Sequence, residues 1–214
     1  MDVRPDPLAE ELQHLAPEVL VKGGSFAHRL PEFRGVPRSQ RDEILLATRR
    51  EWTGECLTAL LATAGLPAVE PPRLPSGSRS WPQGYTGSVS KRRTNVVAAI
   101  APTDRMKSIG IDIEWQDGKG LPMLGGLDSR EQPYVVPKDD GQLIVFSVKE
   151  AVFKALHPIF GAALDFKEIA LSWIPNDSAC QSGFARALGV TLDVRCSIAV
   201  PLWVVSAALW KTPG

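Results

Sequence analysis

Three kinds of residue or pattern that often announce a function are scarce in this 214-residue chain. Histidine occurs three times, as His14, His28 and His157, with no ligand spacing among them, which argues against a histidine-based metal centre. Cysteine also occurs three times, as Cys56, Cys180 and Cys196. No C-x-x-C pair is present, so neither a zinc ribbon nor a disulfide framework is expected, and small buried side chains are the simpler reading. An excess of one charge is missing too. The 24 basic and 24 acidic residues cancel, which leaves no bias toward nucleic acid or a membrane surface. No run of about 18 apolar residues exists, and residues 1–7 lack the apolar stretch of a signal peptide. A cytoplasmic protein is expected. The length suffices for one sizeable domain, or two small ones, with a buried core.

Proline is not scarce, and it organises the beginning of the chain. Pro5, Pro7, Pro17, Pro31 and Pro37 prevent one long helix over residues 1–38, leaving short helices or coil around 8–15. A helix follows, with Ser39 as N-cap, Asp42 and Glu43 in the first turn, and Gly65 then Pro67 as its stop. Ile44, Ala47, Leu57, Leu60, Leu61 and Ala64 supply its apolar side. Gly54 lies in its interior at a cost of about 1 kcal/mol relative to alanine. That glycine marks either the close approach of a ligand or backbone, or a tolerated defect. Residues 66–80 read as a loop. Residues 95–100 and 108–114 read as strands joined by a turn at 102–105, and residues 115–141 as a linker. A helix is expected over 143–157. Strands are expected at 166–173 and 195–210, the last interrupted at Pro201. The fold class is therefore α+β, with one half at 1–114, the linker at 115–141, and a second half at 142–214. No internal sequence repeat is visible.

The chemistry gathers where those halves meet. In the strand at 109–114, Ile109, Ile111 and Ile113 take one face, and Asp112 and Glu114 the other. Residues two apart on a strand stand about 7 Å apart, so both carboxylates can address one site. In the downstream helix, Glu150 and Lys154 share a face at i and i+4. Three carboxylates and an ammonium suit Mg²⁺ holding a phosphorylated substrate, because Mg²⁺ is usually bound by one or two carboxylates plus phosphates and water. The plain alternatives are the wet face of an amphipathic strand and a surface ion pair.

The order G-I-D-I-E at 110–114, then F-S-x-K-E-A-x-F-K-A-L-x-P at 146–158, resembles the 4′-phosphopantetheinyl transferases of the surfactin and enterobactin-synthase type. A version of that family's upstream motif stands at 81–91, W-P-Q-G-Y-T-G-S-V-S-K, so the resemblance covers roughly residues 41–171. It implies a pseudo-dimer of two similar α+β halves, each a small antiparallel sheet packed with a long helix, with the active site at their junction. It implies transfer of the phosphopantetheine arm of coenzyme A to a serine of an acyl or peptidyl carrier protein. By resemblance Asp112, Glu114 and Glu150 are the Mg²⁺ ligands. Glu150 also activates the carrier serine, and Lys154 assists the leaving 3′,5′-ADP. Ser88, Ser90, Lys91, Arg50 and Arg79 are the candidate contacts to the coenzyme. A cytoplasmic monomer serving secondary metabolite biosynthesis is the expected setting, with no nucleic-acid or membrane partner.

Two departures accompany the match. The motif that ends Ser-His in the family ends Ser90-Lys91 here, which keeps a positive charge but as a point charge. An arginine that meets a coenzyme phosphate in the family is matched by Glu55. If Glu55 faces the site, its charge has the wrong sign, worth about 4 kcal/mol at 4 Å and an effective dielectric of 20. If it faces solvent, little is lost. A protein of this fold that has lost or changed the reaction is thus the alternative, acting on a thioester, a carrier-bound group or a small molecule. An unrelated Mg²⁺ hydrolase uses the same acids but leaves the motif at 81–91 unexplained. Lys91, Arg92 and Arg93 form either a solvated charge run or a positive rim for an acidic carrier or a phosphate. Ser88 and Ser90 stand in G-Y-T-G-S, which is not a G-x-S-x-G elbow, so phosphate contact or a plain turn is expected of them. Trp81 and Trp115 flank the motifs as pocket candidates, and His157 is a packing residue.

Overall fold

The computed structural model describes residues 6–116, 138–161, 164–174, 179–198 and 200–213. Most of the expected linker at 115–141 lies outside the described residues.

Asp6 accepts hydrogen bonds from the backbone of Leu8 and Ala9 and so caps helix α1 (Pro7–Leu15), where a proline at the first turn costs nothing. Leu8, Leu12 and Leu15 recur at helical spacing and are buried. Strand β1 (Leu20–Ser25) follows, in a stretch where the sequence pattern indicated no strand. Its lysine and two glycines hide the strand pattern, and it forms because it pairs antiparallel with strand β3 (Asn95–Pro102). Helix α2 (Arg38–Thr63) begins behind Pro37, one residue before the expected cap. No side-chain cap hydrogen bond forms there, so Ser39 lies within the helix rather than before it. Gly65, at φ 72°, ends α2 as expected.

Strand β2 (Tyr85–Arg92) completes a three-stranded antiparallel sheet in the order β1-β3-β2. Strands β4 (Met106–Trp115), β5 (Ala170–Ile174), β6 (Cys180–Ala187), β7 (Val190–Ser197) and β8 (Trp203–Lys211) form a second sheet in the order β4-β8-β7-β6-β5. The strand expected at 166–173 begins later, because residues 166–168 form a 3₁₀ turn closed by an Asp165–Glu168 capping box. The strand expected at 195–210 is two strands separated around Pro201. Helix α3 (Lys138–Phe160) packs on β4 and β8. The fold is α+β, and each sheet carries one long helix.

Strand β4, grouped by sequence with the first half, hydrogen-bonds to β8 in the second sheet. The two sheets meet back to face across a shared core. Val97, Ala99 and Ala101 of β3 pack with Ile109, Ile111 and Ile113 of β4, and with Leu8, Leu12 and Leu15 of α1. The alternate residues of β3, Ala98 and Ile100, pack under Leu57, Leu60 and Leu61 of α2. A strand buried on both faces reads as a continuous apolar run, which is why 95–100 is so legible.

Gly110 sets the height of α3 above β4. A Cβ there would collide with the Ala151 carbonyl oxygen, so only glycine lets the helix backbone lie against the strand. Ser108 Oγ donates to the Ala155 carbonyl, and Ser147 Oγ donates to Asp112 Oδ2. Ser108, Gly110 and Asp112 therefore face Ala155, Ala151 and Ser147 in turn. Two strand residues span about 6.7 Å and four helical residues about 6 Å, so the antiparallel pair stays in step for three contacts.

Candidate active site

The step between β4 and α3 delivers the acids. Asp112 and Glu114 point away from the isoleucine core toward α3, as alternation requires, and are only 3% and 8% exposed. The wet-face alternative is thereby excluded. Asp112 Oδ1 receives Lys154 Nζ at 2.5 Å and Ser90 Oγ at 2.9 Å, and Oδ2 receives Ser147 Oγ at 2.9 Å. Glu114 Oε2 lies 2.7 Å from Arg92 Nε. That N–H is not aimed at the oxygen, which is buried and accepts no hydrogen bond. Burial, and next the charge of Asp112, push Glu114 up to about 7. Glu150 is also raised, by burial first, against the opposing pull of Lys154.

Burial raises Glu114 and Glu150, and the charge of Asp112 adds to both, so the three carboxyl groups form a crowded hard-oxygen set of the kind that suits a divalent cation. Among the described residues no three His, Cys, Asp or Glu side chains are grouped closely enough to ligate an ion by themselves. A divalent cation held there would need its remaining ligands from a phosphate and water.

Ser88 and Ser90 do something the sequence did not suggest. Their segment is strand β2 rather than a loop, and both are buried. Ser88 Oγ accepts from Ile111 N at 3.1 Å, and Ser90 Oγ accepts from Ile113 N at 3.2 Å. The serines join the edges of the two sheets where no backbone ladder runs, and Ser90 passes the link on to Asp112.

Beside this seam lies a basic groove. One cavity, of about 470 Å³, is lined by Arg49, Arg50, Arg73, Arg79 and Lys91, with Thr53 and Glu70. A second, of about 360 Å³, shares Arg73, Arg79 and Lys91 and extends over Trp81, Ser88, Phe153 and His157 to Lys154. Lys91 is pushed down to about 8, by burial first and then by the charges of Arg73, Arg79 and Arg49. Arg92 and Arg93 go elsewhere, to Glu114 and over the Trp115 ring at 4.4 Å. The three-residue basic run is therefore neither freely solvated nor a single rim. His157 packs at 5.0 Å from the Phe153 ring. Trp115 packs on Trp203, and Trp81 lines the second cavity.

Glu55 does not enter the groove. Leu46, Arg49, Arg50 and Thr53, at i, i+3, i+4 and i+7, form the lining face of α2. Two residues past Thr53 is about 200° around the helix. There Glu55 makes a two-pronged pair with Arg29, at 2.6 and 2.9 Å, and Arg29 stacks over Trp52. Gly54, by contrast, meets the Glu70 carboxylate, so its missing side chain makes room for a loop residue.

Residues 108–192 match the family model of the 4′-phosphopantetheinyl transferase superfamily. The chain is 36% identical over 135 residues to the 4′-phosphopantetheinyl transferase Svp of Streptomyces mobaraensis, covering 56% of this chain and 52% of that protein. It is 32% identical over 144 residues to the 4′-phosphopantetheinyl transferase Npt of Nocardia iowensis, covering 63% of this chain and 64% of that protein. Over part of its length the chain is thus similar to the 4′-phosphopantetheinyl transferases. It spans about half the length of the first of these curated relatives and under two thirds of the second.

The span matched to the transferase superfamily holds Asp112, Glu114, Ser147, Glu150 and Lys154. Sequence reasoning missed Ser147, although it precedes Glu150 by three residues on the same helix and so shares its face. Arg49 was one residue from the chosen Arg50. Arg73 and Glu70 sit in a loop where sequence offers no periodicity. Cys56 and Cys196 are buried, as expected, with the Cys56 thiol pushed up to about 12 by burial, whereas Cys180 is only half-buried. Among the described residues no helix is long and apolar enough to cross a membrane.

Proposed function

We propose that the protein transfers the 4′-phosphopantetheine arm of coenzyme A to a serine of an acyl or peptidyl carrier protein, with Mg²⁺ as its metal. The observation that carries the reading is the position of Lys154. It touches Asp112 at the acid cluster and lines the cavity that runs on to Lys91, Arg79 and Arg73. Acids suited to a hard cation and a groove suited to several phosphates thus form one site. The names of the two curated relatives support it, and Glu55, paired outside the groove, no longer opposes it.

Asp112, Glu114 and Glu150 would hold Mg²⁺, together with the coenzyme's phosphates. When bound, the ion neutralises charge on the pyrophosphate oxygens. Arg49, Arg50, Arg73, Arg79 and Lys91 bind and orient the remaining phosphate charge. Glu150, its carboxyl raised by burial, takes the proton of the carrier serine hydroxyl. The serine oxygen then bonds to the phosphorus bearing the pantetheine arm, and the bond from that phosphorus to the bridging oxygen breaks. Lys154 stabilises the charge that grows on the departing 3′,5′-ADP. We place the reaction in the cytoplasm, where coenzyme A and carrier proteins meet, with a monomer serving secondary metabolism.

Calorimetric titration of coenzyme A with Mg²⁺ tests the binding half of this reading. Wild type binds, and Lys91→Ala weakens binding by about 1.5–3 kcal/mol, the worth of a charged hydrogen bond. Absence of binding by wild type removes the reading.

A further inference from the structure

The basic groove holds a carboxylate of its own. Glu70, in the loop after α2, lines the cavity among Arg49, Arg50, Arg73, Arg79 and Lys91. Its Oε1 lies 2.8 Å from Arg79 Nη1. Its Oε2 occupies the space beside Gly54, where a Cβ would come within 2.8 Å of that oxygen. The two partners differ in how firmly they are set. The Arg79 side chain is 7% exposed, and its Nη1 also donates to the Pro71 carbonyl at 2.7 Å, whereas Glu70 is 44% exposed. The arginine is buried and anchored, while the half-exposed glutamate is the partner with solvent to turn into.

We infer that Glu70 is a resident counter-anion that occupies the place of one phosphate, so that a polyphosphate ligand enters the groove by displacing it from Arg79. Arg73, Arg79, Arg49 and Lys91 repel one another across the cavity; Lys91 is lowered by burial first and then by the charges of these arginines. In the free protein Glu70 offsets part of this positive charge. A ligand carrying several negative charges offsets more and takes over the contact. A singly charged ligand gains little by the exchange, so Glu70 makes the groove selective for highly charged phosphates. The inference rests on the coenzyme reading only for the identity of the ligand. The exchange itself requires no more than a phosphate chain.

The test is calorimetric titration of inorganic tripolyphosphate, and separately of coenzyme A, into wild type, Glu70→Gln and Glu70→Ala. It is run at pH 7, below the Lys91 pKa of about 8, so that Lys91 is charged. Both variants are expected to bind tripolyphosphate about tenfold more tightly than wild type, equivalent to about 1.4 kcal/mol. Glutamine keeps the shape and an oxygen that accepts from Arg79. Unchanged affinity in Glu70→Gln, or weaker binding in either variant, identifies Glu70 as a support for Arg79 and overturns the inference. No tripolyphosphate binding by any of the three proteins overturns it as well. Tighter tripolyphosphate binding without any coenzyme A binding upholds the exchange and sinks the coenzyme reading instead.

Discussion

Ser147 Oγ donates a 2.9 Å hydrogen bond to Asp112 Oδ2, and both groups are buried. With Ser90 and Lys154 on the other oxygen, Asp112 is held from three directions, by β2 and by two turns of α3. Ser147 thus positions a carboxylate without itself facing either cavity. Ser147→Ala leaves Asp112 short of one buried donor, at a cost of about 1–3 kcal/mol of stability. It also weakens Mg²⁺ binding measured by calorimetry, whereas Ser147→Thr, which keeps the hydroxyl, restores both. Equal Mg²⁺ affinity in wild type and Ser147→Ala would show that the hydrogen bond serves only the fold.

Gly110 is the clearance that brings α3 onto β4. Gly110→Ala forces a Cβ into the Ala151 carbonyl oxygen and lifts the helix that carries Glu150 and Lys154. A loss of about 3 kcal/mol or more is expected, at the upper end for overpacking because backbone rather than side chain must move. Urea denaturation measures it, and a loss below about 1 kcal/mol would mean that the contact relaxes easily.

Glu114 makes the metal-free protein sensitive to pH with a defined sign. Its carboxyl is raised from 4.5 to about 7, so between those values the folded state holds a proton that the unfolded chain has released. Its contribution is full below about pH 4.5 and is lost as pH rises through about 7. Glu114→Gln removes that dependence. In the presence of a chelator the variant should match wild type near pH 5 and exceed it above pH 7, by on the order of 2 kcal/mol. A stability difference that does not change with pH would show that Glu114 is not raised.

The parts of the structure legible in the sequence are those where one pattern suffices. Strand β3 and strand β4 are apolar or alternating runs, and α2 stops at Gly65 as written. The acids Asp112, Glu114 and Glu150, and with them Lys154, sit on strand and helix periods that survive folding. Strands β1 and β2 were invisible because both are rich in small and polar residues whose role is close packing. Ser88 and Ser90 look like loop serines, yet they are chosen for hydroxyls that reach the backbone of a neighbouring sheet. Glu55 was ambiguous because a two-residue step from Thr53 turns it to the far face, and only the partner Arg29, 26 residues earlier, fixes where it goes. The basic groove was half read, since Arg73 and Glu70 come from a loop whose path no local rule specifies.

The account stands most directly on one measurement, the intact mass of apo carrier proteins incubated with the protein, coenzyme A and Mg²⁺. At least one carrier in a broad panel of acyl and peptidyl types should gain the mass of one phosphopantetheine group. That gain should disappear when Asp112→Ala, still folded by circular dichroism, replaces wild type. No gain on any carrier, or an equal gain with Asp112→Ala, would contradict the account.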